Sequence, residues 1–263
     1  NTLLCLQPSN QITELPDGAA FTYEVIVSDD GESVETRKLL SERFRWVRYV
    51  RGPRRGPAAN RNCGAATARG RWLAFTDDDC LPARDWLRHL MMHAVEGRVV
   101  EGRTIPDRPR ERMDEESPIN ETGGNLWSCN MMLERRLFES TGGFNEDFPH
   151  PAIEDMEFRE RLIDAGGKID FQPEALVVHP WRPTKGISHT RAKLESWYRL
   201  IEQYPRLWPK SMWRYFLHRS LRRFFKRTLP GVFKYRCRGL GFALAEDGFY
   251  ALQGIKALFR ARN

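Results

Sequence analysis

The first hundred residues alternate between short β-rich runs and helical stretches, and this alternation constrains the fold more than any other feature. Strands that alternate with helices at this spacing indicate right-handed βαβ units. The predicted class is therefore α/β, with a mostly parallel, Rossmann-like sheet flanked by helices and a C-terminal helical extension. Strands are predicted at 23–27, 46–50, 72–76, 126–133, 168–171 and 175–178, helices at 33–43, 57–69, 84–94 and 154–165, and a surface loop at 106–124.

The charge is divided unevenly along the chain. Of the 263 residues, 41% are hydrophobic and 29% are charged, which is typical of a globular protein rather than a disordered one. Residues 1–183 hold 24 Lys+Arg against 31 Asp+Glu, whereas residues 184–263 hold 18 against 4. This asymmetry predicts an acidic domain over 1–183 and a basic, aromatic-rich helical extension over 184–263 that meets an anionic surface.

The extension carries apolar and aromatic residues at helical spacing, interleaved with arginine and lysine. Two interpretations stay open. Residues 188–263 either lie on a membrane interface or pack their aromatic stripe onto the catalytic body with the arginines in water. Five scattered cysteines without a CxxC pair favour reduced thiols and a cytoplasmic protein, with a peripheral position on the inner face of the membrane under the first interpretation. The apolar positions are Trp213, Phe216, Leu217, Leu221, Phe224 and Phe225.

Three acids, Asp77, Asp78 and Asp79, directly follow the predicted buried strand at 72–76. Like charges packed this closely repel one another and raise each other's pKa unless a cation lies among them. Open α/β folds bind ligands at the carboxyl ends of their strands, where oxygen ligands suit Mg²⁺ or Mn²⁺ carrying a diphosphate. The alternative is an acidic, solvated turn.

Six short motifs follow one another in a distinctive order. Each is weak alone, but together they resemble the family 2 glycosyltransferases, which have the A-type glycosyltransferase fold. The resemblance covers about residues 1–183. The motifs are Asp29-Asp30-Gly31, the segment 56–64, Asp77-Asp78-Asp79, Gly142-Gly143-Phe144, Glu154-Asp155 and Val177-Val178-His179-Pro180.

The resemblance implies a nucleotide-sugar site in the first half of the chain. Asp29 or Asp30 would accept hydrogen bonds from the base or ribose, and Arg61 would contact the nucleotide. Asp77 would lie near the ribose, with Asp78 beside it in the same pocket. The plainer alternatives are an ordinary turn for the first two acids and a surface position for Arg61.

The resemblance also implies a metal site, in which Asp79 binds Mn²⁺ or Mg²⁺ next to Asp77 and His179 supplies an imidazole ligand. The alternative for His179 is a hydrogen-bonded histidine at a strand end.

Two further motifs are assigned to the reaction itself. Asp155 would be the general base, with Glu154 beside it, unless these acids only complement the helix dipole. Gly142, Gly143 and Trp181 would shape the acceptor side, although the glycines also fit a helix C-cap and the tryptophan also fits simple packing.

The expected function is inverting transfer of a sugar from a nucleotide-diphosphate sugar to a saccharide or lipid-linked acceptor, in cell-surface polysaccharide or glycolipid synthesis. The Gln-x-x-Arg-Trp signature of processive synthases is absent, which favours the addition of single sugars. A nucleotidyltransferase and a non-catalytic basic binding protein are the alternatives. No recognised nucleic-acid motif is present, so no nucleic-acid partner is expected.

The sequence departs from the family pattern at two places. The Pro-Thr-Tyr-Asn-like segment that ends the first strand in family members has no counterpart, so we expect that strand to be missing from this sequence. Glu32 stands between the Asp-Asp-Gly turn and Ser33, where the family usually has serine directly.

Overall fold

A computed structural model describes residues 1–148 and 153–260, and these form two compact units. Unit 1 consists of Asn1–Asp107 and Pro118–Pro180, whereas unit 2 consists of Arg108–Ser117 and the chain from Trp181 onward. The sequence predicted a single boundary, after residue 183. In the structure, residues 108–117 belong to the same unit as the C-terminal helices, although they lie far from them along the chain.

Nine strands are present in the described residues. Two of them, β1 and β2, pair with each other in parallel. Five others form one sheet in the order β3-β7-β5-β8-β4, and β6 pairs with β9 in unit 2. The strands are β1 (Ile26–Asp29), β2 (Arg48–Arg51), β3 (Trp72–Phe75), β4 (Leu81–Pro82), β5 (Arg98–Pro106), β6 (Glu115–Glu116), β7 (Met131–Glu134), β8 (Lys168–His179) and β9 (Arg182–Pro183).

The strand directions correct one part of the prediction. The α/β class with flanking helices is confirmed, but within the five-stranded sheet only β5 and β8 pair in parallel. The pairs β3–β7, β5–β7 and β4–β8 are antiparallel. The reason is that β7 enters between β3 and β5 in the opposite direction, and β5 itself was not predicted. A short buried apolar run carries no information about its direction.

The helices lie close to their predicted positions. Pro57 occupies the first turn of α3, where its missing N–H is not needed. The helices of unit 1 are α1 (Thr2–Cys5), α2 (Glu35–Arg43), α3 (Pro57–Thr67), α4 (Trp86–Met92), α5 (Arg135–Ser140) and α6 (Glu154–Asp164). Those of unit 2 are α7 (Ile187–Gln203), a 3₁₀ turn (Pro205–Leu207), α8 (Met212–Arg223), a π-helical segment (Phe224–Thr228), α9 (Leu229–Lys234) and α10 (Leu240–Arg260).

The five-stranded sheet is buried on both faces. Val99 of β5 and Met131 of β7 belong to one apolar cluster, with residues of α3, α5 and α6. Their neighbours Val100 and Met132 belong to a second cluster, together with Trp86 of α4. Because successive strand residues point to opposite faces, helices cover both sides of the sheet. This layered core fixes the strand ends from which the candidate site is built.

A change of register interrupts the pairing of β5 with β8. Gly102 pairs with Gln172, but the next residue, Arg103, pairs with Leu176. The Asn130 side chain fills this irregularity, donating to the carbonyls of Arg103 and Ala175 at 2.9 Å each. A Cβ on Gly102 would lie 2.3 Å from the Ala175 carbonyl oxygen, so only glycine fits there. The two strands predicted at 168–171 and 175–178 are therefore one irregular strand.

The segment 108–117 differs from the surface loop that was predicted. Glu115 is buried and accepts hydrogen bonds from the Arg108 guanidinium at 2.6 Å and from the backbone N–H groups of Glu111 and Arg112 at 3.1 Å each. Met113 is buried as well. This polar segment is ordered because the buried carboxylate of Glu115 accepts several hydrogen bonds from it. The number of polar residues in the sequence does not indicate such an arrangement.

Candidate active site

The acidic turn Asp77-Asp78-Asp79 follows β3 and is held by the N-terminal helix. Thr2 Oγ1 lies 2.6 Å from the carbonyl oxygens of both Asp78 and Cys80. The Cys80 N–H also donates to the Asp77 carbonyl at 3.2 Å, which closes the turn. Asp78 is exposed, whereas Asp77 and Asp79 are half-buried. Thr2 was not found by sequence reasoning, because nothing in its local pattern links it to a turn more than 70 residues away.

His179 ends β8, is fully buried and faces the acidic turn. Its Nε2 lies 3.3 Å from Asp79 Oδ1. Its Nδ1 lies 3.0 Å from the Pro180 carbonyl oxygen, which can only accept a hydrogen bond. Nδ1 therefore carries the proton in the neutral ring, and Nε2 presents its lone pair toward Asp79.

The group around His179 fits a divalent metal ion. Cys80 Sγ joins Asp79 and His179, and one ligand atom from each residue lies within 4.8 Å of the others. A carboxylate oxygen is a usual ligand of Mg²⁺ and Mn²⁺, whereas an imidazole nitrogen is more typical of Zn²⁺ and the later first-row metals, so these ligand atoms fit a divalent ion without specifying which one. Asp77, which the sequence also predicted as a metal ligand, forms an ion pair with Arg61.

Arg61 of α3 joins the acidic turn to the start of α6. One guanidinium nitrogen lies 3.1 Å from Asp77 Oδ1 and the other lies 3.0 Å from Glu154 Oε1. Burial alone would lower the pKa of the guanidinium, but the carboxylates of Asp155, Asp77 and Glu154 outweigh burial and raise it. Arg61 is therefore a fixed positive charge between two acids. The nucleotide contact that the sequence predicted for it stays a prediction.

The two carboxylate oxygens of Asp155 have different surroundings. Its Oδ2 accepts from the Ser128 backbone N–H at 3.1 Å and lies 3.2 Å from the Ser128 hydroxyl. Its Oδ1 is buried and has no hydrogen-bond partner among residues 1–148 and 153–260. Burial and the charge of Glu154 raise the pKa of Asp155 to about 7, against the opposing effects of Arg61 and the Ser128 amide. A carboxyl group with this pKa can accept a proton near neutral pH.

The backbone that leads into α6 is strained. Ile153 has φ of 89°, in the left-handed region that β-branched residues avoid. Such a conformation costs on the order of 1–3 kcal/mol, and it persists only where surrounding contacts enforce it. Arg61 supplies one such contact through Glu154, whose side chain is only 7% exposed. The strain thus lies directly before the two acids assigned to the reaction.

Asp29 and Asp30 make local contacts at the end of β1. Asp29 Oδ1 accepts from the Gly31 N–H at 2.9 Å. The two oxygens of Asp30 accept from the N–H groups of Arg54 at 2.6 Å and Gly56 at 3.1 Å. Asp30 thereby holds the loop that leads into α3. Among the described residues, neither acid forms an ion pair with Arg61, whose partners are Asp77 and Glu154.

The Gly142-Gly143 turn connects α3 with α6. Asn62 of α3 accepts from the Phe144 N–H and donates to the Phe144 carbonyl, at 2.8 Å each. Arg161 of α6 donates to the Gly143 carbonyl at 2.8 Å. Gly143 has φ of 68°, and a Cβ there would lie 2.6 Å from Asn62 Oδ1. The turn therefore packs tightly against α3, the helix that carries Arg61, and against α6.

Trp181, also assigned to the acceptor side, belongs to unit 2. Its Nε1 donates to the Arg108 carbonyl at 2.7 Å, and the Arg110 guanidinium lies 5.5 Å from its ring centroid. The three residues predicted for the acceptor side are thus divided between the two units.

Four of the six motifs lie in a segment that matches a known protein family. Residues 12–152 match Glycosyl transferase family 2. The chain belongs to glycosyltransferase family 2. The match includes the acidic turn, Arg61 and the glycine turn, but it ends before Glu154, Asp155 and His179.

Two curated relatives cover similar shares of the chain. The Pre-mycofactocin glycosyltransferase of Mycobacterium tuberculosis is 30% identical over an alignment of 183 residues, and the match covers 60% of this chain and 37% of the relative. The Succinoglycan biosynthesis protein ExoM of Rhizobium meliloti is 30% identical over an alignment of 173 residues, and the match covers 59% of this chain and 56% of the relative. The chain thus spans well under two thirds of the length of either relative.

A solved structure supports the fold of this family 2 member. The crystal structure of GalNAc-T7 with UDP, GalNAc and Mn²⁺ superposes with a TM-score of 0.53 and 16% sequence identity. It covers 86% of this chain and 50% of the other. At this identity the likeness establishes the shared fold alone.

Proposed function

We propose that this family 2 member transfers a single sugar from a nucleotide-diphosphate sugar to a saccharide or lipid-linked acceptor, with inversion at the anomeric carbon. The observation that carries the proposal is the Arg61 bridge, with contacts of 3.1 Å to Asp77 and 3.0 Å to Glu154. This bridge joins the acidic turn to the helix that presents Asp155. A diphosphate-binding turn and a base are thereby held at one place in unit 1, as a displacement reaction requires.

Asp155 is the general base of the proposed reaction. The acceptor hydroxyl donates its hydrogen to Oδ1 while Ser128 holds Oδ2 in place. As the proton moves to Asp155, the acceptor oxygen attacks the anomeric carbon on the side opposite the diphosphate. The bond between that carbon and the diphosphate oxygen then breaks, and the configuration inverts.

Asp79 and His179 would hold a divalent ion, Mn²⁺ or Mg²⁺. When bound, the ion supplies positive charge that stabilises the departing nucleoside diphosphate. The residues of this chain contribute a buried imidazole, whose ligating nitrogen is fixed by the Pro180 carbonyl, and a carboxylate on a turn held by Thr2. Arg61 keeps Asp77 and Glu154 charge-compensated at the same time.

Loss of the Asp79 carboxylate tests the donor and metal assignments together. Asp79→Ala is expected to weaken Mn²⁺ binding and to lower nucleoside diphosphate release at least 100-fold, because the proposed ion loses a charged oxygen ligand. Calorimetric titration with Mn²⁺ and a release assay over a panel of nucleotide-sugars measure the two effects. Asp17→Ala, at an exposed acid, is the matched control. Pyrophosphate release from a nucleoside triphosphate, without turnover of any nucleotide-sugar, would instead identify a nucleotidyltransferase.

Ser128 is a positioning residue that sequence reasoning did not find. Ser128→Ala keeps the backbone N–H but removes the hydroxyl, so Asp155 loses one of its two donors. We expect kcat to fall about tenfold, in line with the loss of about one hydrogen bond to a charged group, while the donor KM stays within about twofold of wild type. Ser128→Thr retains a hydroxyl and should recover most of kcat. Ser140→Ala, an exposed serine, is the control, and an equal loss in the alanine and threonine variants would contradict the assignment.

The acceptor is assigned to cell-surface polysaccharide or glycolipid synthesis. Support comes from the name of the succinoglycan biosynthesis relative, together with the basic composition of residues 184–263. A peripheral position on the inner face of a membrane agrees with that composition. No helix in the described ranges 1–148 and 153–260 has both the length and the hydropathy of a bilayer-crossing segment. Family membership argues against the alternative of a non-catalytic basic binding protein.

A further inference from the structure

Unit 2 contains a long helical run, residues 212–234, that carries positive charge only. It comprises α8, the π-helical segment and α9 without interruption. Pro230 does not interrupt the run, because it falls in the first turn of α9. No Asp or Glu occurs anywhere between Glu202 and Glu246. The basic residues of the run are Arg214, Arg219, Arg222, Arg223, Lys226, Arg227 and Lys234.

The inner face of this run is fixed against α10. Thr228 donates to Asp247 Oδ2 at 2.6 Å, and Arg223 Nε lies 3.1 Å from the other carboxylate oxygen. The Ser220 hydroxyl donates to the Asp247 carbonyl at 2.8 Å. Phe216 is fully buried and stacks with Tyr250 at a centroid distance of 6.3 Å. Phe216 on this side thus packs within unit 2, whereas the sequence interpretation had the aromatic stripe packing onto the catalytic body.

The outer face exposes an apolar row, which we call the outer stripe and define as Leu221, Phe225, Leu229 and Phe233. These side chains are 57%, 60%, 44% and 81% exposed, respectively. Single exposed apolar residues are common on protein surfaces, but four large ones in a regular row are not. The sequence pattern of the helix therefore contains two apolar faces, and only one of them is covered by unit 2.

The π-helical segment keeps the outer stripe in line. Four residues of an α-helix turn the chain through about 400°, so a row at spacing four drifts by about 40° per step. A π-helical turn takes up more residues, because its hydrogen bonds join residues five apart. The π-helical segment, Phe224–Thr228, contains most of the step from Phe225 to Leu229. Its smaller rotation per residue opposes the rotation that accumulates from Leu221 to Phe225 and from Leu229 to Phe233. The contacts of Asp247 with Arg223 and Thr228 bracket this segment, so the alignment is built into the packing.

Charge decides which partner fits the outer stripe. Arg222 and Lys226 are exposed immediately beside Leu221 and Phe225. Two copies of this face would bring like charges together, which disfavours self-association through the stripe. An apolar row flanked by several lysines and arginines on a helix is the pattern that places a helix flat on an anionic bilayer.

We propose that the outer stripe of residues 212–234 is a docking surface for an anionic lipid bilayer, with its four apolar side chains inserted and its flanking basic residues at the headgroups. The proposal rests on unit 2 alone and holds whether or not the proposed sugar transfer is correct. It applies the membrane interpretation of the sequence to the outer face alone, because the inner face packs against α10 within unit 2.

Vesicle binding of the full chain tests this proposal without donor or metal. The wild-type chain should co-sediment with phosphatidylglycerol vesicles and at least tenfold more weakly with phosphatidylcholine vesicles. Phe225→Ser with Phe233→Ser should lower binding to the anionic vesicles at least tenfold, because two inserted rings are lost. Arg222→Glu with Lys226→Glu should lower it more than tenfold and remove the lipid selectivity. Val34→Ser with Leu39→Ser, at exposed apolar sites of unit 1, is the matched control and should bind as wild type does.

A fluorescent variant distinguishes loss of docking from loss of folding. Because the wild-type chain has eight tryptophans, the readout is the emission of Phe233→Trp minus that of wild type. This difference should shift to shorter wavelength on addition of anionic vesicles, and lipids brominated along their acyl chains should quench it. Circular dichroism of each variant checks the helices. The proposal is overturned if the serine pair binds anionic vesicles like wild type, if neutral and anionic vesicles bind equally, or if the serine pair only abolishes self-association of a chain that ignores vesicles.

Discussion

Asp155→Asn is expected to lower kcat by about 10²–10⁴-fold, the range that a positioned general base contributes. Asparagine can still accept the Ser128 N–H through its amide oxygen, so the start of α6 keeps its geometry. The donor binds through other residues, and its dissociation constant should change less than about threefold. Single-turnover transfer assays give the rate, and calorimetry with the nucleotide-sugar gives the affinity. Full activity in this variant would refute the base assignment.

Asp155→Asn should also change how the stability of the folded chain depends on pH, and this can be measured without any turnover. The pKa of Asp155 is raised from 3.8 to about 7 in the folded chain, so folding favours its protonated form. The stabilising effect of that proton is complete below about pH 4 and is lost as the pH rises through about 7. Asparagine carries no charge to bury. The melting temperature of Asp155→Asn, relative to wild type, should therefore increase between pH 5 and pH 8 in metal-free buffer, and a constant difference would contradict the assigned pKa.

Arg61→Met is expected to lower the free energy of unfolding by about 3 kcal/mol, because removal of one partner leaves buried carboxylates without compensation. Glu154 is only 7% exposed and Asp77 is 25% exposed, so water cannot fully replace the guanidinium. Activity should fall as well, since the bridge between the acidic turn and α6 is gone. Urea unfolding at pH 7.5 measures the change.

Two further variants show whether the ion pairs of Arg61 cause this loss. Arg55→Met removes an arginine whose side chain is 65% exposed in its pair with Glu146, and it should change stability by less than about 0.5 kcal/mol. Arg61→Met combined with Glu154→Gln should recover part of the lost stability, because it removes the buried charge that Arg61 compensated. Unfolding of Arg61→Met at the wild-type urea concentration would show that the bridge is not structural.

The elements that the sequence predicted well are those whose signals are local. The helix at α3 has a proline in its first turn, and α6 begins with a cluster of acids, so both were placed within a few residues. The strand β3 was placed because a short apolar run ends in a polar turn. The strand β5 and the antiparallel directions were not found, since strand order and direction depend on contacts between distant residues.

The candidate site shows the same division between local and distant signals. The acidic turn, the acid pair and the histidine could be named from their order along the chain. The ion pairs of Arg61 with Asp77 and Glu154 could not, because α3, the acidic turn and α6 meet only after folding. Ser128 and Thr2 were missed for a related reason: serine and threonine are common, and only their partners distinguish these two.

The register change in β8 decides which way His179 faces. Three residues, 173–175, lie between the partners of Gly102 and Arg103, and an odd number exchanges the two sides of the strand beyond it. The imidazole meets Asp79 only because of this exchange. Ile169 before the irregularity and Val177 after it therefore belong to apolar clusters on opposite sides of the sheet, although an even number of positions separates them.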